Sequence, residues 1–321
     1  MRLFLDTNVW SYCADHDAGD DLASAARLAG TQVVVSPAVV DELRSISNAD
    51  NRRRALKLVT RSDWTRLMPE IYSECAELKK EIRRLRPEWL FSNPNLAEVH
   101  RLRYDWVRRQ GGFWDRALDD GAPHQTDEGK RAEMALRLAR EQSYDIRKRL
   151  IAQKVQAGET HLQRVAAVME EATPGWTGAP VEYWRVSSLY FFRSELFVYA
   201  SPAREWLDSE VDIAEMVMNP ASVNRLWLHE MAADALPRQW LRGALEFLQG
   251  WHKVTDGTPT DSTLATHLVE ADRFLTADKN FARFAERCRV EAPFRTAATY
   301  RVPGSRDGVD ATLRLVSPAE R

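Results

Sequence analysis

The sequence contains few cysteines, and none of them form a recognisable pair. Only three occur among 321 residues, Cys13, Cys75 and Cys288, far apart and without a C-x-x-C spacing. An odd, scattered set of this kind argues against a disulfide framework and against a zinc knuckle. We therefore expect the chain to work in a reducing compartment.

Long apolar runs and a large net charge are also missing. Nowhere do eighteen apolar residues run uninterrupted, and no charged segment leads into an apolar stretch with a cleavage site, so we expect a cytoplasmic protein without a membrane partner. Basic and acidic residues nearly cancel, 45 against 47, so no overall field would attract a polyanion. The seven histidines, among them His229, His252 and His267, lack metal-ligand spacing, and no glycine-rich phosphate loop occurs.

Two short apolar segments, each ending on an aspartate, are the most informative feature of the chain. MRLFL precedes Asp6 near one end, and RFLTA precedes Asp278 near the other. Apolar runs of this length predict strands buried inside a sheet. If the two strands are parallel and adjacent, both carboxylates emerge at the carboxyl edge, where open α/β sheets place their chemistry.

The segments around these strands predict an α/β domain. The predicted helices cover 20–29, 36–46, 53–59, 69–86, 238–250, 258–271 and 280–284. Further strands are predicted over 31–35, 65–68, 298–302 and 312–315. Residues 1–86 and 240–321 would form this domain.

Residues 87–239 have a different character. They hold most of the tryptophans and no segment that predicts a strand, and 127–156 could form one long charged helix. We therefore expect an all-α insertion.

The helix that follows Ser36 carries the third candidate acid. At about 100° per residue its apolar residues gather on one face. Asp41 falls opposite that face, and Glu42 lies at its border, where it can lean over the sheet edge toward Asp6. Asp41 is therefore expected in solvent and Glu42 near the edge.

Asp261 is the fourth candidate acid. It lies on the same helical stripe as Leu264 and Ala265, a costly position for a carboxylate unless something satisfies it. Asp272 begins its strand instead of ending it, so it lies at the opposite end and is excluded from the group.

Four acids, Asp6, Glu42, Asp261 and Asp278, are thus predicted at one edge of one sheet. Carboxylates within about 4 to 6 Å of one another repel and raise one another's pKa. A divalent cation removes that repulsion, and ligation by oxygen alone suits Mg²⁺ or Mn²⁺ better than zinc. Such a site can activate a water molecule and stabilise charge on a phosphodiester.

Two uncharged polar residues accompany the acids. Asn8, two residues after Asp6, could hold a neighbouring carboxylate by hydrogen bonds, and Thr276, two before Asp278, could do the same for an attacking water.

Four motifs in this order resemble the PIN-domain ribonucleases, a family that includes the toxins of bacterial toxin–antitoxin pairs. The motifs are DTN after the first strand, SPAVVDEL after the second, a lone aspartate opening a helix, and FLTADKNF near the end. The likeness covers about residues 1–86 and 240–300 and none of the insertion. It implies a parallel sheet between helices and metal-dependent cleavage of RNA.

By the same resemblance, Asp6, Glu42, Asp261 and Asp278 would be the catalytic, metal-binding quartet, and Asn8 and Thr276 its accessory polar residues. The partners implied are an RNA substrate and a cognate antitoxin or other regulatory protein. A homodimer is compatible with the pattern, and the insertion would cap the site or supply the dimer face.

Each acid also has a simpler structural interpretation. Asp6 and Asp278 could be no more than turn residues, and Glu42 could be an ordinary solvated residue at the border of its helix. Asp261 could be a first-turn residue that the helix dipole favours. Arginines around Trp89, Tyr104 and Trp106 suit contacts with RNA, but runs of charge usually mark an ordinary solvated helix face.

Three functions compete at this stage. The first is a Mg²⁺- or Mn²⁺-dependent endoribonuclease. The second is a PIN-like module that has lost catalysis and binds RNA or protein. The third, a phosphatase with Asp6 as nucleophile, requires an acid at the position of Asn8 and ranks last.

Overall fold

In a computed structural model of the protein, the described residues are 1–108, 110–118, 144, 147–148, 151–152, 158, 160–167, 173–197, 201–252 and 258–317. Within this part of the chain, the centre of the fold is a five-stranded parallel sheet of order β3-β2-β1-β6-β7. Its strands are β1 (Arg2–Leu5), β2 (Gln32–Val35), β3 (Thr65–Arg66), β6 (Arg273–Thr276) and β7 (Ala298–Arg301). The predicted α/β class is confirmed.

The helices that accompany the sheet come from both ends of the chain. The first group is α1 (Thr7–Asp15), α2 (Gly19–Leu28), α3 (Pro37–Arg44), α4 (Ala49–Val59) and α5 (Glu70–Leu85). The described part of 87–239 contains α6 (Leu96–Val107), α7 (Phe113–Arg116), α8 (Tyr183–Phe197), α9 (Pro202–Leu207), α10 (Ile213–Met218) and α11 (Pro220–Arg225). The second group is α12 (Pro237–Gln249), α13 (Thr258–Ala265), α14 (Lys279–Glu291) and α15 (Ser305–Val316).

The strand order creates a switch point at the centre of the sheet. From β1 the chain moves outward through β2 to β3, whereas from β6 it moves the opposite way to β7. Parallel crossovers are right-handed, so the first crossovers place α1 to α4 on one face and the last places α14 on the other. The packing agrees, because α1 contacts α4 and α15 while α12 contacts α13 and α14. A crevice therefore opens at the carboxyl ends of β1 and β6.

Two local predictions were wrong. Residues 312–315, predicted as a strand, belong to α15: the alternation of those four residues is strand-like, but Val309, Thr312 and Val316 are buried at helical spacing. No helix was predicted directly after Asp6, yet α1 begins at Thr7 and buries Val9. The predicted helix over 280–284 is longer, and the one over 258–271 ends as a 3-10 turn, Thr266–Glu270.

The insertion is mainly helical in its described part, with one small departure. An antiparallel pair of two-residue strands, β4 (Ala166–Ala167) and β5 (Val181–Glu182), occurs where no strand was predicted. Strands this short leave no detectable periodicity in a sequence. The predicted helix over 127–156 lies largely outside the described residues.

Helix α8 of the insertion packs on α12 of the α/β part. A β-carbon at Gly243 of α12 would lie 2.9 Å from the Cα of Trp184 in α8, so glycine permits this close approach. The buried apolar residues of both parts form one cluster. The insertion is therefore fixed to the domain that carries the candidate acids. Among the described helices, none is long and apolar enough to cross a membrane.

Candidate functional site

The candidate site forms where β1 and β6 end side by side. Leu5 pairs with Leu275, and the amide of Asp6 donates to the carbonyl of Leu275 at 2.9 Å, so the ladder continues to the first acid. Continuing this register puts Asp6 level with Thr276. The placement of Asp6 and Asp278 at one sheet edge follows from this pairing, as predicted.

Asp6 is buried and held by three donors. The Thr7 amide donates to its Oδ1 at 2.8 Å, and the Asn8 side-chain amide donates to its Oδ2 at 2.7 Å. The Thr276 hydroxyl, fully buried, also donates to Oδ2. Thr276 therefore positions Asp6, which differs from the predicted role of orienting water. Asp6 also caps α1, so its simpler interpretation holds as well.

Asn8 joins the two strand ends. Its side-chain nitrogen donates to Asp6, while its oxygen accepts the amide hydrogen of Ala277 at 2.9 Å. The side chain thus links the start of α1 to the residue that precedes Asp278. This geometry matches the prediction that Asn8 holds a neighbouring carboxylate.

Glu42 lies half-buried on α3, and Thr7 fixes the orientation of its side chain. The Thr7 hydroxyl donates to its Oε2 at 2.6 Å. Burial, followed by the charge of Asp6, raises the pKa of Glu42 to about 7, although the hydrogen bond from Thr7 opposes this. Asp41, next along the helix, is exposed. The predicted border and solvent positions are both confirmed.

Asp261 lies in the first turn of α13, and its partner comes from α12. The side-chain amide of Gln249 donates to its Oδ2 at 3.1 Å. Burial, followed by the charges of Asp6, Glu42 and Asp278, raises the pKa of Asp261 to about 8. The charges of the other three acids therefore all oppose the ionisation of Asp261.

Asp278 is the exposed member of the group and caps α14. Its Oδ1 accepts the amide hydrogens of Asn280 and Phe281, at 2.6 and 2.7 Å. Its charge contributes to raising the pKa of Asp6, to about 6, after the larger effect of burial. Capping accounts for one of its oxygens, and the other makes no hydrogen bond among the described residues.

Four acids from four separate segments thus influence one another at the switch point of the sheet. In a cluster without a counter-charge, ionisation of each carboxyl opposes ionisation of the next. Burial is the largest cause of the raised pKa values of Asp6, Glu42 and Asp261, and this repulsion adds to it.

The chemistry of these groups fits a hard divalent cation. All the donors are oxygens, as Mg²⁺ and Mn²⁺ prefer. In the part of the chain described, Glu42, Asp261 and Asp278 each use only one carboxylate oxygen in hydrogen bonds. However, no three His, Cys, Asp or Glu side chains among the described residues are already gathered closely enough to hold a metal ion. The donor types fit, while a formed ligand sphere is not present.

Residues excluded on sequence grounds do lie elsewhere. Asp272 accepts the amide hydrogen of Arg2 and pairs with Arg295, at the opposite end of β6. His267 is fully buried against Phe4.

The arginines around Trp89, Tyr104 and Trp106 are mostly paired with carboxylates inside the protein. The pairs are Arg83–Glu210, Arg84–Glu81, Arg86–Glu230, Arg101–Glu98 and Arg108–Asp105. Trp89 is buried, and Trp106 packs on Phe113. Arg109 lies outside the described residues. This pairing favours a solvated helix face over an RNA surface at these positions.

Sequence reasoning missed two site residues, Thr7 and Gln249. Thr7 lies within the DTN motif, so its position between Asp6 and Asn8 was a usable signal. Gln249 ends a separate helix, and nothing in the sequence connects it to Asp261, twelve residues later. Only the packing of α12 on α13 brings them together.

Comparison of the chain with protein-family models, with curated proteins and with solved structures gave no match.

Proposed function

We propose that the protein is a divalent-metal-dependent endoribonuclease of the PIN type. The observation that carries this proposal is the convergence of Asp6, Glu42, Asp261 and Asp278 at the switch point of a parallel sheet, with three of their pKa values raised. A group of acids so placed is unfavourable by itself and becomes favourable around a cation.

The four acids would hold Mg²⁺ or Mn²⁺. Glu42, Asp261 and Asp278 would use the carboxylate oxygen that makes no hydrogen bond among the described residues, and Asp6 would use Oδ1, which accepts a single hydrogen bond. When bound, such an ion lowers the pKa of water and offsets charge on a phosphodiester. The chain's own contribution is orientation: Asn8 and Thr276 hold Asp6, Thr7 holds Glu42, and Gln249 holds Asp261. These four supports come from three elements of the fold, α1, β6 and α12.

Burial of Asp6 and the fixed strand ends also limit the choice of reaction. Asp6 already accepts three hydrogen bonds, and the residue two positions later is Asn8, which cannot act as a general acid. Both features favour hydrolysis by an activated water over attack by Asp6 itself.

The proposal is tested by incubating the purified protein with total RNA, with Mn²⁺ or with EDTA, and sequencing the new ends. We expect cleavage in Mn²⁺ and none in EDTA. Asp6→Asn and Glu42→Gln should each lower the rate by more than about 100-fold, because even residues that support metal ligands typically cost 10- to 100-fold.

Asp41→Asn is the matched control for Glu42→Gln. Asp41 is the neighbouring residue on the same helix, and its side chain is 61% exposed and paired with Arg44. We expect wild-type cleavage from this variant. Cleavage in EDTA, or equal cleavage by the Glu42 and Asp41 variants, would overturn the proposal. Tight RNA binding without turnover would favour the binding module instead.

A further inference from the structure

The helix that begins at the acidic site carries a guanidinium group without a carboxylate partner in the described part of the chain. Arg283 lies on α14, the helix that Asp278 caps, and its side chain is exposed. It follows Asp278 by five positions, about 7.5 Å along the helix axis. Among the described residues, no carboxylate lies at ion-pair distance from Arg283, whereas most of the arginines discussed above have such a partner.

Arg283 is held in place by a neutral group. One of its terminal nitrogens lies 2.8 Å from Nε2 of His252, and its guanidinium lies over the ring of Phe284, 5.1 Å from the centroid. The His252 ring packs on the same Phe284, with centroids 5.0 Å apart. Because His252 accepts the hydrogen bond as a neutral ring, it orders the guanidinium without cancelling its charge.

The segment that carries His252 also leads to the site. The amide of His252 donates to the carbonyl of Gln249 at 2.8 Å, and Gln249 holds Asp261. Arg283 is therefore connected to two of the four acids, to Asp278 through α14 and to Asp261 through His252 and Gln249.

The electrostatics of His252 agree with a neutral ring at this position. Its pKa is lowered first by burial and then by the charges of Arg283 and Arg147. A neutral His252 leaves the charge of Arg283 uncancelled, so this guanidinium would attract the anionic backbone of a substrate and not the metal ion.

We propose that Arg283, aligned by His252, binds a phosphate of single-stranded RNA next to the phosphate that is cut. This inference rests on the proposed function, because it assigns the position of the substrate strand at that site. Arginine suits this role, since its several donors match phosphate oxygens and its charge persists at every working pH.

The test compares Arg283→Gln with Arg289→Gln. Arg289 lies on the same helix and is similarly exposed, but both of its hydrogen bonds go to Glu286, at 2.8 and 2.6 Å. Cleavage of a labelled single-stranded RNA in Mn²⁺ should show a KM about 5- to 10-fold higher for Arg283→Gln, the size of one lost charged hydrogen bond at an exposed position. We expect kcat within about twofold of wild type, and wild-type values for Arg289→Gln.

Salt dependence and binding supply the independent readouts. Arg283→Gln should reduce the slope of log affinity against log salt by about 0.7, the value for one phosphate contact on a single strand. His252→Leu, which removes the acceptor, should raise KM in the same direction, and His252→Gln, which keeps an acceptor, should restore it. Mn²⁺ affinity should not change in any of these variants.

Equal KM and equal salt slope for the Arg283 and Arg289 variants would overturn the inference. So would a lower melting temperature for Arg283→Gln with unchanged RNA binding, since that is a purely structural role. If wild type does not cleave, the proposed function fails, but fluorescence anisotropy of the same RNA in EDTA still decides whether Arg283 binds phosphate.

Discussion

The titration of Asp261 links the stability of the metal-free protein to pH. Its pKa is raised from 3.8 to about 8, so the folded state binds this proton more tightly than the unfolded chain. Protonation of Asp261 therefore stabilises the folded state. This contribution is fully present below about pH 4 and is lost as the pH rises toward 8. Within this window, each rise of one pH unit lowers the free energy of unfolding by about 1.4 kcal/mol for a fully titrating group.

Replacing Asp261 with asparagine removes this titration and keeps the shape of the side chain. Between pH 5 and pH 8 one carboxyl would contribute about 4 kcal/mol at the full slope. The residue is only half-buried and coupled to three other acids, so we expect about half of that. In EDTA, the unfolding free energy of wild type should therefore fall by about 2 kcal/mol more than that of Asp261→Asn over this range.

The assay is urea unfolding in EDTA at pH 5, 6, 7 and 8, followed by tryptophan fluorescence. A second series at pH 8 contains Mn²⁺. An ion at one hundred times its dissociation constant raises the free energy of unfolding by about 2.7 kcal/mol. Wild type should gain this stability, and Asp261→Asn should gain much less. Parallel pH profiles for the two proteins, or an equal gain from Mn²⁺, would refute the placement of Asp261 within a cation-binding cluster.

Three further outcomes test individual contacts. Asn8→Ala removes the link between Asp6 and the end of β6, and we expect its cleavage rate to fall about 10- to 100-fold with little change in circular dichroism. An unchanged rate would show that this link does not support catalysis. Gln249→Leu should weaken Mn²⁺ binding about 10-fold in calorimetry, and Gln249→His, which keeps a donor, should recover part of it. Arg242→Met leaves the fully buried Glu74 unpaired and should lower unfolding free energy by about 3 to 5 kcal/mol, whereas a loss below 1 kcal/mol would contradict the pairing.

The sheet was predictable because its strands carry their own signal. β1, β2 and β6 are short apolar runs, and burial on both faces requires such runs in a parallel sheet. Their spacing in the sequence, with helices between, predicts parallel pairing. The order of the strands was not predictable in the same way, because the switch point depends on how two distant segments meet.

The acids were predictable for a related reason. Asp6 and Asp278 follow short apolar runs, and Asp261 lies on an apolar helical stripe. Only Asp261 violates a local rule, because Asp6 and Asp278 also form helix caps. Their supports were harder to find. Thr276 has an apolar-strand position and a fully buried side chain, and only the register of β6 against β1 turns its hydroxyl toward Asp6.

The wrong predictions arose where a short sequence pattern is compatible with both a strand and a helix. Residues 312–315 alternate as a strand would, and only the longer window with Val309 and Val316 selects the helix. The helix after Asp6 was not predicted, although Val9 and Cys13 lie four residues apart and are both buried, as on one face of a helix. Gln249 left no signal, since a glutamine at the end of an amphipathic helix is ordinary in any sequence.

The most direct measurement is a crystal of the protein soaked in Mn²⁺ and measured at the manganese absorption edge. We predict one or two anomalous peaks enclosed by the carboxylates of Asp6, Glu42, Asp261 and Asp278, absent from crystals of Asp6→Asn. Side chains that remain apart with no peak between them would contradict the proposed metal site and the nuclease chemistry that depends on it.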